Sequence, residues 1–195
     1  MITLGIDPGT AIMGYGLVES GALVHEGRAG PQTQPQTQAT GAGGGGMRVG
    51  QSDLRLIEYG ALVTPANTPT VERLSMLYRG LIDLIAEYKP DAMAIEELFF
   101  NKNVRTALAV GQARGVAILA AAHAGIPVAE YTPLQVKQAV VGYGRATKEQ
   151  VQSMVRILLN MDHIPRPDDA ADALAIAICH IHSQAYRQIV SGTGG

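Results

Sequence analysis

This sequence has almost no cysteine. Cys179 is the single cysteine among 195 residues, so a disulfide framework is excluded and a reducing compartment is expected. Because Cys179 lies in the apolar run 173–179, we predict a buried, unreactive thiol. Hydrophobic residues make up 47% of the chain, which fits a soluble globular protein and excludes wholesale disorder.

Long uncharged apolar runs are also missing. Arg114 and Asp172 interrupt the two most apolar stretches, so no segment reaches the length of a membrane span. Residues 1–7 lack the basic flank and the long apolar stretch of a secretory signal. We therefore expect a cytoplasmic protein without a membrane partner.

The chain lacks a strong net charge, which is formally −2 at pH 7. Its positive charge is nevertheless concentrated, because residues 102–148 contain six basic residues and a single acid, Glu130. These basic residues are Lys102, Arg105, Arg114, Lys137, Arg145 and Lys148. A basic face can bind nucleic acid on an otherwise neutral protein. An ordinary solvated surface explains the same charges, and charge alone slightly favours that interpretation.

The length of the chain suits one domain, predicted to span residues 1–190. Within it, residues 28–52 are rich in Gly, Gln, Thr and Pro and include four consecutive glycines at 43–46. Such a segment buries too little apolar surface to offset its ordering entropy. We predict a flexible insertion at about 28–52, at the tip of a hairpin, and a disordered tail at 191–195.

Apolar periodicity and breaker residues predict alternating strands and helices. Predicted strands cover 2–7, 13–18, 54–63, 91–97 and 126–131. The first helix should have Thr68 as its N-cap and Pro69 at its first position, and later helices are predicted at 104–124, 133–141, 148–160 and 168–187. Three early strands with short links predict an antiparallel meander, and strands reached across helices should add in parallel. The predicted fold class is α/β, with a mixed central sheet flanked by helices.

Carboxylates stand at the ends of two apolar strands and on one face of the last helix. Asp7 ends the first predicted strand, and Glu96 and Glu97 end the fourth. Asp169 and Asp172 are three residues apart and therefore share a helix face. Strand ends in open α/β sheets hold side chains rigidly beside a crevice. We predict that Asp7, Glu96, Asp169 and Asp172 form one site.

Such a set of oxygen ligands suits magnesium. Mg²⁺ prefers hard oxygen ligands in octahedral geometry, and two divalent ions about 4 Å apart can activate water and stabilise a phosphodiester leaving group. The sequence shows no His or Cys pattern with zinc spacing. The prediction is a two-metal site for Mg²⁺, with Mn²⁺ as a substitute, in an enzyme that hydrolyses phosphodiester bonds.

Two of the four acids, Asp7 and Asp169, also have explanations that involve no metal site. Asp7 fits a common Asp-Pro-Gly turn, and Asp169 fits the first turn of a helix, where the macrodipole favours acids. Asp172 is harder to explain in this way, because it lies within an apolar run and would need a neutralising partner.

Five sequence blocks occur in an order that resembles the RuvC family of bacterial Holliday junction resolvases. The blocks are Gly5-Ile6-Asp7-Pro8-Gly9-Thr10 with Gly14-Tyr15-Gly16, Ala94-Ile95-Glu96, Gly111-Gln112-Ala113-Arg114-Gly115, Gln135-Val136-Lys137-Gln138, and Asp169-Ala170-Ala171-Asp172-Ala173-Leu174. They cover nearly all of the chain except the insertion and the tail. Each block alone would be weak, but their combination is highly specific.

The resemblance implies an RNase H-like fold and a homodimer that nicks two strands of like polarity in a four-way DNA junction. It also implies cooperation with the RuvA–RuvB branch-migration complex, in recombination and repair. The family's catalytic acids fall on Asp7, Glu96, Asp169 and Asp172. Glu96 is preferred over Glu97, and alternation along the strand would send the two to opposite faces.

The resemblance also implies catalytic or DNA-binding roles for basic and aromatic residues. Lys137 and Lys148 match the family's lysines and could hold the scissile phosphate. Phe99 is implied as a wedge at the junction, although core packing is a rival role for it. The full set of predicted DNA contacts is Phe99, Lys102, Arg105, Arg114, Lys137, Arg145 and Lys148.

Two other classes of protein share part of this sequence pattern. An actin-like or sugar-kinase ATPase shares a strand followed by Asp-x-Gly-Thr, but it usually needs two related domains. A non-catalytic junction-binding module would gain from losing the acids, because they repel the phosphate backbone. The small-residue helix 107–122 is the candidate dimer interface, although packing on its own sheet explains the same residues.

Overall fold

The computed structural model describes residues 1–21, 54–97 and 104–192, apart from the side chains of residues 104–105 and 188–192. The described residues form five strands and five helices. The strands are β1 (Ile2–Asp7), β2 (Ile12–Ser20), β3 (Leu54–Val63), β4 (Ala92–Glu96) and β5 (Val128–Tyr131). The helices are α1 (Thr70–Tyr88), α2 (Val104–His123), α3 (Pro133–Val141), α4 (Lys148–Leu158) and α5 (Asp168–Gly192). Among the described helices, none combines the length and the apolar character needed to cross a membrane.

All five described strands form one mixed sheet in the order β3-β2-β1-β4-β5. β1 pairs with β2 in antiparallel fashion, and β2 pairs in the same way with β3. β4 pairs in parallel with β1, and β5 pairs in parallel with β4. The prediction of an antiparallel meander extended by parallel strands is confirmed. Parallel strands need crossover connections, which α1 and α2 provide.

Helix starts were predicted with mixed success. Capping boxes fix the starts of α3 and α4, with Thr132 and Thr147 as the N-caps. The predicted N-cap at Thr68 is wrong, because α1 begins at Thr70 with Pro69 as its N-cap. Pro69 has an extended conformation, with ψ at 144°, and no side chain caps the helix.

The ends of the chain differ from the prediction in one respect. Helix α5 continues to Gly192, so Ser191 and Gly192, which were predicted as tail, belong to a helix. No proline interrupts the sequence between Arg187 and Gly192, and the helix therefore meets no breaker. Residues 193–195 and the predicted insertion at 28–52 lie outside the described residues, so both predictions stand as they were made.

The two faces of the sheet carry side chains of different sizes. One face packs against α1 and α2 and carries the largest buried side chains of β1, β2 and β4: Leu4, Ile6, Met13, Leu17, Met93 and Ile95. The other face packs against α5, and here the same strands contribute Thr3, Gly5, Gly14, Gly16, Ala92 and Ala94. Strand alternation explains this division, because successive side chains point to opposite faces. We call these the large-residue face and the small-residue face.

Candidate active site at the carboxyl ends of β1 and β4

Asp7 and Glu96 end two adjacent parallel strands. In the β1–β4 register, Ile6 is paired with Ile95, so the next residue of each strand is an acid. Ile6 and Ile95 belong to the large-residue face, and strand alternation directs Asp7 and Glu96 to the other face, beneath α5. Both acidic side chains are half-buried. The β1–β4 register therefore places these two strand ends side by side at one edge of the sheet.

Two glycines let the first turns of α5 lie directly on this edge. A Cβ atom built on Gly5 would stand 2.0 Å from the carbonyl oxygen of Ala173, and one built on Gly14 would stand 2.0 Å from that of Asp169. Gly14 is also the antiparallel partner of Asp7. The backbone that carries Asp169 therefore rests against the residue paired with Asp7, which brings the acids of α5 to the strand ends.

The acids interact strongly enough to perturb one another. The pKa of Asp7 is raised to about 7, first by burial and then by the negative charges of Asp172, Glu96 and Asp169, while Lys148 lowers it. Burial and the charge of Asp172 raise the pKa of Glu96, while Lys137 acts in the opposite direction. Perturbation of this size is typical of functional sites, where like charges share a poorly solvated space.

The pKa of Asp172 is also raised. Burial raises the pKa of Asp172, and the hydrogen bond and charge of Lys148 act against that rise. Its side chain is 34% exposed, so water still reaches part of the carboxylate. A half-buried acid among other acids is costly to ionise without a positive partner.

A cavity of about 190 Å³ opens beside these acids. Its polar lining consists of Glu96, Asp172, Lys137 and Lys148, and its apolar lining consists of Pro133, Val136, Val151, Ala175 and Ile176. The charged groups come from β4, α3, α4 and α5, so four separate elements converge here. Glu97 is not among the residues that line this cavity, in agreement with the expectation that alternation sends Glu96 and Glu97 to opposite faces.

The two lysines are positioned by the starts of their helices. Lys148 is the first residue of α4, directly after the capping box of Thr147 and Gln150. Its Nζ lies 2.9 Å from Oδ2 of Asp172. Lys137 lies in α3, whose start is fixed by a second capping box between Thr132 and Gln135. The structure thus brings both predicted lysines to the cavity that Glu96 and Asp172 line.

The donor chemistry of the site fits a hard divalent cation. The four predicted ligands offer only carboxylate oxygens, which Mg²⁺ and Mn²⁺ accept. Burial is the first cause of the raised pKa of Asp7 and repulsion by the other acids is the second, and a cation bound here would relieve that repulsion. In the described part of the chain, no three His, Cys, Asp or Glu side chains are arranged so that they could already hold a metal ion. Asp172 is engaged instead with the Lys148 ammonium.

Three of the predicted DNA contacts belong to the described backbone outside this cavity. Arg145 is exposed in the loop between α3 and α4. Arg114 is mostly buried: its Nε donates to the backbone oxygen of Glu96 at 3.3 Å, and its guanidinium forms an ion pair with Glu130. This contact ties α2 to the end of β4. Arg105 lies in α2, and its side chain is outside the description, as are Phe99 and Lys102.

One residue at the site was not predicted as functional. Asp168 is the first residue of α5, and its Oδ2 lies 3.6 Å from the Nζ of Lys148. It also forms an ion pair with Arg166. Its spacing of four residues from Asp172 predicts a shared helix face, but the sequence alone does not reveal that Lys148 approaches that face.

The sheet order and its helical covering define a protein of the RNase H-like class. The family described as "Crossover junction endodeoxyribonuclease RuvC" matches residues 34–180. A relative with that name from Moorella thermoacetica is 53% identical over 188 residues, which cover 96% of this chain and 95% of the relative. Another from Chloroflexus aurantiacus is 55% identical over 183 residues, which cover 94% of each chain. The chain belongs to the RuvC family, and the resemblance found in the sequence is confirmed.

Solved structures agree with this assignment. "T. thermophilus RuvC in complex with Holliday junction substrate" is 34% identical, with a TM-score of 0.75 and 94% coverage of both chains. The yeast mitochondrial Holliday junction resolvase Ydc2 is 14% identical, with a TM-score of 0.59 over 94% of this chain and 78% of its own. At that identity the second likeness concerns the fold alone.

Proposed function

We propose that this protein is a structure-selective endonuclease that resolves Holliday junctions by hydrolysing phosphodiester bonds in two strands of like polarity. One observation carries the proposal: Asp7 and Glu96 stand at adjacent strand ends, with Asp172 close enough to raise the pKa of both acids. The chain that holds this cluster belongs to the RuvC family. A solved family member of 34% identity is titled as a complex with a Holliday junction.

Asp7, Glu96, Asp169 and Asp172 are the proposed ligands of two Mg²⁺ ions, with Mn²⁺ as a substitute. When bound, such ions activate water and offset the negative charge that develops on the phosphate and leaving oxygen. The carboxylates are held for this task by β1, β4 and α5, which keeps them fixed while the substrate changes shape.

The protonation of Asp7 depends on the charges around it. Because its pKa is about 7, the Asp7 carboxyl is protonated in about half of the molecules at neutral pH. Positive charge beside Asp7 favours loss of that proton, because the ionised form is then stabilised. A cation bound beside Asp7 would therefore increase the negative charge of this carboxyl at neutral pH.

Lys137 and Lys148 are proposed to bind the scissile phosphate. Both line the cavity next to Glu96 and Asp172, so an ammonium group on each side can hold a phosphodiester against the acids. A positioned cation also offsets charge on the phosphate as the bond breaks. Without these lysines, four carboxylates would repel DNA.

The remaining DNA contacts extend the proposal outward from the cavity. Phe99, Lys102 and Arg105 are proposed to meet the junction beyond the strand end that carries Glu96. Arg145 is exposed beside α4 and can contact a phosphate without rearrangement. Arg114 is proposed mainly as a support for DNA binding, because its guanidinium already contacts Glu96 and Glu130.

A homodimer is proposed because a twofold substrate that is cut at paired positions calls for a twofold enzyme. Helix α2 offers a candidate interface. Its exposed residues recur at helical spacing and include Leu108, Gln112, Gly115, Leu119 and Ala122. Leu108 is 65% exposed and Leu119 is 48% exposed, so two large apolar side chains face outward. RuvA–RuvB is the proposed partner in branch migration.

Cleavage of a synthetic four-way junction in Mg²⁺ tests the proposed function. We expect paired nicks in opposite arms, with a linear duplex of the same arm sequence left intact. ATP hydrolysis without nuclease activity would favour the ATPase class instead. Junction binding without nicking in any divalent cation would favour a non-catalytic binding module. Solution mass should show a dimer, and Leu119→Glu should lower that mass without unfolding the chain.

A further inference from the structure

Lys148 stands between two carboxylates of the same helix face. Its Nζ lies 2.9 Å from Oδ2 of Asp172 and 3.6 Å from Oδ2 of Asp168. Asp168 and Asp172 are four residues apart, one helical turn along α5, so both carboxylates point towards the start of α4. An ammonium group has three donors and no acceptor, and it can serve both acids with little movement.

The ammonium group competes with any cation for Asp172. The hydrogen bond from Lys148 to Asp172 is the main reason why the pKa of Lys148 is raised, and the charges of Asp168 and Asp7 add to it. Asp172 is also one of the proposed metal ligands. A divalent ion and an ammonium group carry charge of the same sign, so they repel each other at one carboxylate.

Asp168 is suited to receive the displaced ammonium group. At 3.6 Å its Oδ2 is the second carboxylate oxygen near the Nζ of Lys148 among the described residues. The side chains of Lys148 and Asp168 are 48% and 44% exposed, so either can rotate through solvent without leaving a buried group unpaired. Arg166 pairs with Asp168 from the other side and limits where its carboxylate can go.

We infer that Lys148 is a built-in counter-ion of Asp172, and that Asp168 is a positioning residue that takes over the Lys148 ammonium when a divalent cation binds Asp172. This inference rests on the proposed metal site. It gives Asp168 a role through Lys148, since Asp168 itself touches neither the phosphate nor the metal.

Direct Mn²⁺ binding to the DNA-free protein, followed by electron paramagnetic resonance, tests the inference without relying on activity. Lys148→Met should bind Mn²⁺ about fivefold more tightly, because the competing ammonium group is gone. Asp168→Asn should bind about threefold more weakly, because the displaced ammonium group loses its second acceptor. Asp168→Glu should recover most of the wild-type affinity.

A double-mutant cycle separates this role from charge acting through space. In the Lys148→Met background, Asp168→Asn should change the Mn²⁺ affinity no more than Glu149→Gln does. Glu149 is the matched control: it is exposed, follows Lys148 in sequence and carries the same charge. Among the described residues it forms no salt bridge with Lys148.

The outcomes of these experiments distinguish a failure of this inference from a failure of the proposed metal site. If Asp168→Asn weakens binding equally in both backgrounds, or if Lys148→Met does not bind more tightly, the inference is overturned while the metal site stands. If the wild type and Asp7→Asn bind Mn²⁺ equally poorly, the proposed metal site itself is overturned. In cleavage, Asp168→Asn should raise the Mg²⁺ concentration for half-maximal rate.

Discussion

The two faces of the central sheet are built on opposite principles. On the large-residue face, Leu4, Ile6 and Met93 are fully buried against α1 and α2. On the small-residue face, the neighbouring positions are threonine, glycine, alanine or an acid, and α5 lies against the strand backbone. The first face gains stability from buried apolar area. The second face has small side chains, so α5 lies close to the strands and brings its carboxylates near those of the strand ends.

This difference shows how a stable scaffold and an electrostatically strained site can share the same strands. In β1, Ile6 is buried in the core while the next residue, Asp7, has a pKa of about 7. Strand alternation alone separates the two roles. The comparison predicts that truncating the large-residue face costs stability, whereas enlarging the small-residue face costs activity.

The largest effect on stability is expected for Leu81→Ala in α1. Leu81 is 0% exposed and packs in the cluster of the large-residue face. Its truncation should lower the free energy of unfolding by about 3 kcal/mol, from lost burial and the cavity left behind. Urea unfolding measures this change. Val71→Ala, in the same helix but at a residue that is 79% exposed, is the control and should change stability by less than about 0.5 kcal/mol. Equal losses would contradict the assigned core.

Gly14→Ala is expected to damage both stability and cleavage. Its added Cβ would stand 2.0 Å from the Asp169 carbonyl oxygen, so the start of α5 must move away from Asp7. Overpacking of this kind costs about 2 kcal/mol, and misplacement of the acids should slow junction cleavage about 100-fold. A Gly14→Ala protein that is folded and cuts at the wild-type rate would show that the close approach is not required.

Asp7→Asn is expected to stabilise the metal-free protein at about pH 8. Between pH 3.8, which is the ordinary pKa of an aspartic acid side chain, and about pH 7, the folded protein keeps a proton on Asp7 that the unfolded chain releases. Stability is therefore highest at low pH and falls as pH rises through about 7. Each pKa unit corresponds to about 1.4 kcal/mol, but the asparagine amide is also desolvated, so a gain of about 2 kcal/mol is expected.

Urea unfolding with EDTA at about pH 8 and about pH 4 measures this effect. The gain from Asp7→Asn should be much smaller at the lower pH, where the carboxyl is protonated in the folded wild type and only partly ionised in the unfolded chain. Mg²⁺ should stabilise the wild type more than the variant. A gain of the same size at both pH values would contradict the raised pKa.

The smallest effect is expected for Gly115→Ala in α2. A Cβ atom on Gly115 meets no atom within 4 Å, and the helix gains about 1 kcal/mol when glycine is replaced by alanine. The monomer fold should therefore become slightly more stable, in contrast to Gly14→Ala. Thermal unfolding at low protein concentration measures the difference. A destabilised Gly115→Ala protein would show that this face is covered, and a change in solution mass would identify a dimer as the cover.

Much of this arrangement could be predicted from the sequence, because it follows from local patterns. Apolar strands that end at Asp7 and Glu96 predicted that these acids belong to one site, and the resemblance to the RuvC family favoured Glu96 over Glu97. The Thr147 capping box predicted the start of α4. The N-cap of α1 was missed, because Thr68 and Pro69 satisfy the local rule equally well one residue earlier.

Other features depend on packing between distant segments. The glycines of β1 and β2 belong to a motif that could be recognised in the sequence. Their close contact with α5 could not be predicted, because the sequence does not show which helix covers them. Arg114 was predicted to contact DNA, and its contacts with Glu96 and Glu130 depend on how α2 lies beside β4 and β5. Likewise, the approach of Lys148 to Asp168 depends on the distance between the starts of α4 and α5.

Junction cleavage by wild type and Asp7→Asn in Mg²⁺ tests the central claim most directly. The substitution keeps the size of the side chain and removes a carboxylate from the acidic edge. We predict that the wild type nicks a synthetic four-way junction at paired positions. Asp7→Asn should bind the same junction with similar affinity and leave it uncut. Cleavage by Asp7→Asn at the wild-type rate would contradict the claim that the acids at the ends of β1 and β4 are the catalytic centre.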